Sequence, residues 1–322
     1  MQEGKNLVIQ TLKRLWKNEY FQMAITVALT LTVVFGLYFG TQAALGSEYP
    51  ALAVASGSML PTLNVGDLII VQKIDPSQIH ADPVNGDILV YKRGDELIVH
   101  RAVDVRQDEN DVYWITTRGD NAITSDTPWN STRLVGKVIA RIPAIGNLPL
   151  FLHSERNMYL IFLALIIILI ILMLPLGARG EEKTPKEEQQ TGEKTLFSKI
   201  SLRLLLYIII NIILLGLIIF SICGSLTIWQ PGATPPQATI YGMLSDVHFH
   251  ESFQFVSEAY LSQGFLTYQI NYEVNGGLRQ GVPTFSWFQL FILILIIYNI
   301  WKLYNFLKKW KEKSILKVRL DV

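Results

Sequence analysis

Apolar residues are concentrated in four stretches of this 322-residue chain. They run from about Phe21 to Gly40, from Met158 to Leu176, from about Leu204 to Ile222, and from Phe285 to Ile300 and somewhat beyond. Each approaches the roughly 20 apolar residues that a helix needs to cross the hydrocarbon core of a bilayer. Asn211 interrupts the third and is tolerable there if it faces another helix. The first stretch has the position of a secretion signal, but a signal core holds only about 7–15 apolar residues, so an uncleaved anchor fits it better. Between the first two stretches the pattern shortens. Leu68-Ile69-Ile70-Val71 follows Gly66-Asp67, and Ile88-Leu89-Val90-Tyr91 follows Gly86-Asp87. Apolar runs of that length entered through Gly-Asp turns predict strands. Leu97 to Val105, Val112 to Thr117 and Leu134 to Ile142 are further strand candidates, with a turn at Asp108-Glu109-Asn110-Asp111. No long helical period competes, so this region reads as all-β.

The remaining segments are polar or mixed. Gly180 to Lys194 is rich in Glu, Lys and Gln and predicts a solvated linker. After the third stretch, Pro231-Gly232-Ala233-Thr234-Pro235-Pro236 reads as a spacer. Phe249, Phe253, Tyr268, Ile270 and Tyr272 then predict a small second β unit of a few strands. There is no internal repeat.

Half of the residues are hydrophobic and the mean hydropathy is +0.30, which points to a membrane protein. The net charge of +1 gives no footing for nucleic-acid binding. Its distribution sets an orientation, because Lys and Arg collect on the cytoplasmic side. Lys13, Arg14 and Lys17 precede the first stretch, and Arg179, Lys183, Lys186, Lys194, Lys199 and Arg203 lie between the second and third. Lys302, Lys308, Lys309, Lys311 and Lys313 surround the end of the fourth, whereas Arg279 stands alone between the third and fourth. Both termini are thus expected in the cytoplasm. The expected division is a basic N-terminus (1–20), an anchor (21–44), an outer β domain (45–156), a helix (157–177) and a charged cytoplasmic linker (178–203). A helix (204–224), a small outer segment (225–284), a helix (285–306) and a basic tail (307–322) follow. The fold class is therefore a membrane protein of about four transmembrane helices, with an all-β outer domain and a second small, β-type outer segment. The single cysteine, Cys223, lies in an apolar run and excludes an intrachain disulfide.

Chemistry enters at Val54-Ala55-Ser56-Gly57-Ser58-Met59-Leu60-Pro61-Thr62-Leu63, a small-residue turn that presents a serine just outside the first span. A lone serine is a poor nucleophile and needs a base. His100, in Ile98-Val99-His100-Arg101, supplies a candidate, and Asp120 and Asp126 follow it. Taken singly, each has a plain structural reading: a turn serine, a core histidine in an apolar run, a Gly-Asp-Asn turn, and core residues at Met59 and Leu60. In order behind an anchor, they are the parts of an activated acyl-transfer nucleophile. Arg118-Gly119-Asp120 also spells an adhesion tripeptide, a coincidence too frequent to carry weight.

Ser56-Gly57-Ser58-Met59-Leu60-Pro61-Thr62-Leu63, Gly86-Asp87-Ile88-Leu89-Val90-Tyr91, Arg118-Gly119-Asp120-Asn121 with Asp126, Gly136-Lys137-Val138 and Pro143-Ala144-Ile145-Gly146 together resemble the type I signal peptidase family. The resemblance spans about residues 21–152. Histidine at position 100, where the bacterial enzymes have lysine, is similar to the archaeal and endoplasmic-reticulum branch. A lysine base must be desolvated to act near neutrality, whereas a histidine titrates there already and needs mainly orientation. The resemblance implies that Ser58 is the nucleophile and His100 the base. Spacing does not choose between the two aspartates; the resemblance assigns Asp126 to orient His100 and Asp120 as a supporting carboxylate. It further implies an oxyanion hole made by the Ser56 hydroxyl and the Ser58 N–H, with Gly57 permitting close approach. Met59 and Leu60 are candidates for a substrate groove or membrane contact, with ordinary core packing as the alternative.

The expected function is removal of signal peptides from secreted and membrane preproteins outside the cytoplasm, with small side chains preferred at the first and third positions before the cut. Its partners are preproteins, the lipid bilayer and the protein translocon; no cofactor, metal or nucleic acid is called for. The membrane is the cell membrane, or that of the endoplasmic reticulum in a eukaryote. The rival readings are a dedicated protease of the same fold that acts on one partner, and a non-catalytic scaffold of a secretion complex. Two weaker features remain. Asp246, His248 and His250 alternate, so on a strand they would face one side and could approach a metal, the plainer reading being a solvated polar face. Asn130-Ser131-Thr132 is a glycosylation acceptor close to Asp126. The two last spans and residues 225–284 have no counterpart in the family pattern.

Overall fold

A computed structural model describes residues 19–153, 202–229 and 236–320. The second predicted span, nearly all of the charged linker and the proline spacer up to Pro235 lie outside these residues, as do the N-terminal lysines and arginine. A long helix α1 (Glu19–Leu45) leads into β1 (Ala51–Ala53), β2 (Leu68–Gln72), β3 (Ile88–Arg93), β4 (Glu96–Gln107), β5 (Tyr113–Arg118), β6 (Trp129–Asn130) and β7 (Leu134–Ile142). A short helix α2 (Asn147–His153) follows. Helix α3 (Leu202–Cys223) leads to β8 (Ser225–Trp229), β9 (Gln237–Tyr241), helix α4 (Met243–Glu251), β10 (Val256–Gly264), β11 (Thr267–Val274), β12 (Gly277–Arg279), β13 (Thr284–Phe285) and the last helix, α5 (Trp287–Leu320).

Strands β3 to β5 form an antiparallel meander with β6 on its far edge, and β7 returns to pair with β3 and β2. Strand β3 explains why a short apolar run suffices here. Ile88 and Val90 enter one buried cluster with Val54, Met59, Leu63 and Ile69, while Leu89 and Tyr91 enter another with Ala102, Ile115 and Trp129. Successive side chains of a strand point to opposite faces, so a strand covered on both faces is apolar throughout. The register slips in β2–β7, β3–β7 and β4–β5. Such bulges increase the local twist and curl a sheet.

The segment after α3 differs from expectation in two ways. Residues 243–251 form a helix rather than a strand. The segment also joins the first domain's sheet, because β13 pairs in parallel with β7 at Thr284 and Arg141, continuing the order β10–β11–β13–β7–β3–β4–β5–β6. Val282 enters the same cluster as Met59 and Leu63. Tyr268, Ile270 and Tyr272 do alternate inward on β11 as their spacing predicts.

Among the described residues, Leu204–Cys223 and Trp287–Lys311 are long and apolar enough to cross a membrane, and almost none of either is buried within the protein. Asn211 does face another helix: Asn299 Nδ2 donates to Asn211 Oδ1 at 2.8 Å, and the Tyr207 hydroxyl donates to Asn299 Oδ1. Small polar bridges of this kind hold helices together where no hydrophobic drive exists between them. Cys223 is exposed at the end of α3.

Candidate active site

Ser58 sits in a single 3-10 turn, Gly57–Met59, fixed from behind by Met59, which is 1% exposed. Burying such a side chain is worth about 1.5–3 kcal/mol. Met59 O also accepts from Leu63 N–H at 2.9 Å. Ser58 itself is half-buried, Ser56 is exposed, and their hydroxyl oxygens lie 3.4 Å apart. On β4, His100 lies one residue before Arg101, so strand alternation gives the two side chains opposite directions. His100 is half-buried and lines the same cleft as Ser58; Arg101 is 2% exposed. That cleft, of about 290 Å³, is also walled by Ala53, Leu97 and Val99. A second, apolar cavity of about 250 Å³ lies between α3, α5 and β13 and holds none of these groups.

The two aspartates part company. Asp126 Oδ2 lies 2.6 Å from His100 Nδ1, which donates to it when the carboxyl is ionised. Thr117 Oγ1 donates to the same oxygen at 2.7 Å, and Trp129 Nε1 donates to Thr117 Oγ1 at 3.1 Å. A hydrogen bond on Nδ1 leaves Nε2 as the nitrogen that takes up a proton, so this chain of donors fixes the imidazole tautomer. Asp120 makes no such bond. It receives Arg101 in bidentate fashion, Nε to Oδ1 at 2.8 Å and Nη2 to Oδ2 at 2.7 Å, and accepts a short bond from Thr62 Oγ1. Arg279 Nη1 lies 3.4 Å from Asp120 Oδ1. Burial pushes the Asp120 carboxyl up, but Arg101, Arg279 and Thr62 outweigh it and hold it below the ordinary carboxylate range.

Gly119 joins these parts. A Cβ there would lie 2.6 Å from Ser58 O and 3.1 Å from His100 Nε2, so only glycine lets the loop pass between the serine backbone and the imidazole. The loop is pinned to the serine turn by Asn121, whose N–H donates to Ser58 O at 2.9 Å and whose Nδ2 donates to Gly57 O at 3.3 Å.

Met59 is a buried core residue that also lines the cleft, and Leu60 is half-buried. One sequence expectation requires correction. Asp246, His248 and His250 do not line one face of a strand. On α4, Asp246 and His250 are buried one turn apart, while His248 points to solvent. They are neither a metal cluster nor a solvated face: Asp246 meets Arg141 in a short bond, and among the described residues no three His, Cys, Asp or Glu could hold a metal. Burial lowers the His250 pKa, keeping that ring neutral. Asn130 caps a short turn, its Oδ1 accepting from Thr132 N–H at 2.8 Å. Sequence reasoning missed Arg101, Thr117, Gly119, Arg279 and Thr62. Arg101 adjoins His100 and could have been found from that; Arg279 carries no local signal.

No protein-family model matches the chain. Individual curated proteins do. The signal peptidase complex catalytic subunit sec11 of Dictyostelium discoideum is 28% identical over 166 residues, 48% of this chain and 89% of that protein. The SEC11 subunit of Tuber melanosporum is 28% identical over 51% of this chain and 96% of the relative. That of Leptosphaeria maculans is 30% identical over 46% of this chain and 89% of the relative. Each relative is covered almost end to end while about half of this chain is left over. On that identity and coverage, the chain belongs to the family of signal peptidase complex catalytic subunits.

Proposed function

We propose that this protein is an integral-membrane serine endopeptidase that removes N-terminal signal peptides from secreted and membrane preproteins, with Ser58, His100 and Asp126 as its reactive set. The observation that carries the reading is the His100–Asp126 bond at 2.6 Å beside a cleft shared with Ser58. Ser58 Oγ attacks the scissile carbonyl carbon as His100 Nε2 takes its proton, and Asp126 stabilises the imidazolium. The carbonyl electrons move onto oxygen, which the Ser58 N–H and the Ser56 hydroxyl receive. Collapse breaks the C–N bond, and His100 returns the proton to the leaving amine. Water, deprotonated by the same imidazole, then hydrolyses the acyl-enzyme carried on the N-terminal fragment and restores Ser58.

Four spans hold this site outside the cytoplasm, with both termini inside and residues 45–156 and 225–284 outside. The asymmetric Lys and Arg pattern and the two apolar helices support that arrangement. The apolar cleft walls suit small side chains before the cut, and a site near the bilayer suits a substrate whose core lies within it. The protein translocon is the natural source of such substrates, and the relatives are named as subunits of a complex.

Cleavage of several unrelated preproteins in membranes tests the reading. Wild type should cut them, and Ser58→Ala, His100→Ala and His100→Lys should not. Equal inactivity of wild type and Ser58→Ala would support the scaffold reading instead. Cleavage of one substrate only would support a dedicated protease.

A further inference from the structure

The part of the chain that follows the peptidase-like residues 21–152 is not a detached appendage. Its outer segment and the first domain exchange buried charges crosswise. The domain's Arg141 meets the segment's Asp246 as well as its own Asp67, and the domain's Asp120 meets the segment's Arg279 as well as its own Arg101. These six side chains are at most 4% exposed. Around Asp120 the exchange reaches the site. Thr62, four residues beyond Ser58, donates to Asp120 and also bonds the Tyr272 hydroxyl of β11 at 2.5 Å. The Arg279 guanidinium lies 5.7 Å from the centre of the Tyr272 ring, its Nε donates to Val84 O at 2.8 Å and its Nη2 to Pro83 O at 3.2 Å. Among the described residues Arg279 Nη1 is buried without a hydrogen-bond partner, so the Asp120 charge is what compensates it.

Asp120 therefore lies where three pieces of chain meet: the serine turn through Thr62, strand β4 through Arg101, and its own loop with Gly119 and Asn121 against Ser58 O. We propose that Arg279 and Tyr272, supplied by the outer segment, are positioning residues for the reaction: they hold Asp120 and Thr62, and through them the loop that keeps Ser58 and His100 in register. The inference rests on the peptidase reading given above. Neither residue touches substrate; each acts through Asp120 or Thr62. A displacement of about 1 Å at a reacting centre can cost about 100-fold in rate, so small shifts of this hub are consequential.

The test separates kcat from KM for preprotein cleavage by the full-length protein in proteoliposomes, and follows amide hydrogen exchange in peptides covering 117–123. Arg279→Met should lower kcat by about 10- to 100-fold with KM within about twofold, because the cleft walls are untouched. Arg279→Lys should recover part of that loss, and Tyr272→Phe, which keeps the ring and removes only the hydroxyl, should lower kcat by about tenfold. In both Arg279→Met and Tyr272→Phe the 117–123 peptides should exchange faster. Leu278→Ala, on the exposed side of β12, should change neither reading. If Arg279→Met does not fold, Tyr272→Phe decides alone. Wild-type kcat and unchanged exchange in the variants overturn the proposal, as does a loss of activity that only follows the folded fraction. Wild type that cleaves nothing overturns the peptidase reading instead, and the exchange data still decide whether the segment holds the loop.

Discussion

Asp120 and Asp126 lie six residues apart in one loop, yet they occupy opposite kinds of surroundings. Asp126 keeps 19% of its side chain exposed and faces one imidazole and the hydroxyls of Thr117 and Tyr91. Asp120 is 2% exposed and lies between two guanidiniums. A carboxylate that must answer a charge appearing and vanishing on histidine needs a partner that starts neutral. One already saturated by two permanent cations has nothing left to give. Under the proposed mechanism the comparison separates reaction from architecture within a single turn of chain, and it can be broken by experiment.

The largest effect expected is on turnover. Asp126→Asn should lower kcat by about 10⁴-fold, the consequence of a wrong imidazole tautomer, while the thermal midpoint by near-UV circular dichroism stays close to wild type. Asp120→Asn should act first on stability, with turnover falling only by the roughly 10- to 100-fold expected of a loosened loop. It leaves Arg101 and Arg279 facing no carboxylate, and breaking a buried pair from one side costs about 3–5 kcal/mol, to be read from denaturant unfolding. If Asp120→Asn kept wild-type stability and lost only turnover, the contrast between the two aspartates would be wrong.

The smallest effect concerns Asp67, which shares Arg141 with Asp246. Burial pushes its carboxyl up from 3.8 to about 6, with the Asp246 charge adding a smaller push and Arg141 pulling the other way. A carboxyl that titrates higher in the fold than in the open chain binds a proton on folding. Its contribution to stability therefore grows as pH falls through about 6, is complete below 3.8, and is lost as pH rises again. Asp67→Asn should flatten that part of a thermal-midpoint profile taken between pH 4 and 7.

Much of the first domain was legible in the sequence, for a physical reason. Its strands are short apolar runs entered through Gly-Asp turns, and β3, buried on both faces, has no polar residue in Ile88–Tyr91 to blur the signal. Helix α4 was not legible. Its buried stripe is Met243, Asp246 and His250, at helical spacing but two-thirds polar, so a search for apolar periodicity finds no face there. The alternation of Asp246, His248 and His250 then mimics a strand. The junction of the segment after α3 with the first domain was hidden for a related reason: beside Val282 and the β13–β7 pairing, its contacts are charges in the interior, and Arg141, a lone cation within Val138–Ile142, hints that something opposes it. The serine turn, the histidine and both aspartates could be named from their order. Which aspartate faces the imidazole depends on side-chain direction, and spacing does not carry that.

The contact between Asp120 and Arg279 spans 159 positions of chain, 279 less 120. At synthesis rates of about 5–20 residues per second, that interval is on the order of ten to thirty seconds. Arg101 emerges before Asp120 and can meet it at once, whereas Tyr272 and Arg279 arrive only after helix α3 has been made. A nascent chain therefore carries its serine, histidine and both aspartates outside the ribosome well before the last buried cation arrives. The loop around Gly119 can thus complete its buried charge pairs only once the residues that follow helix α3 have been made.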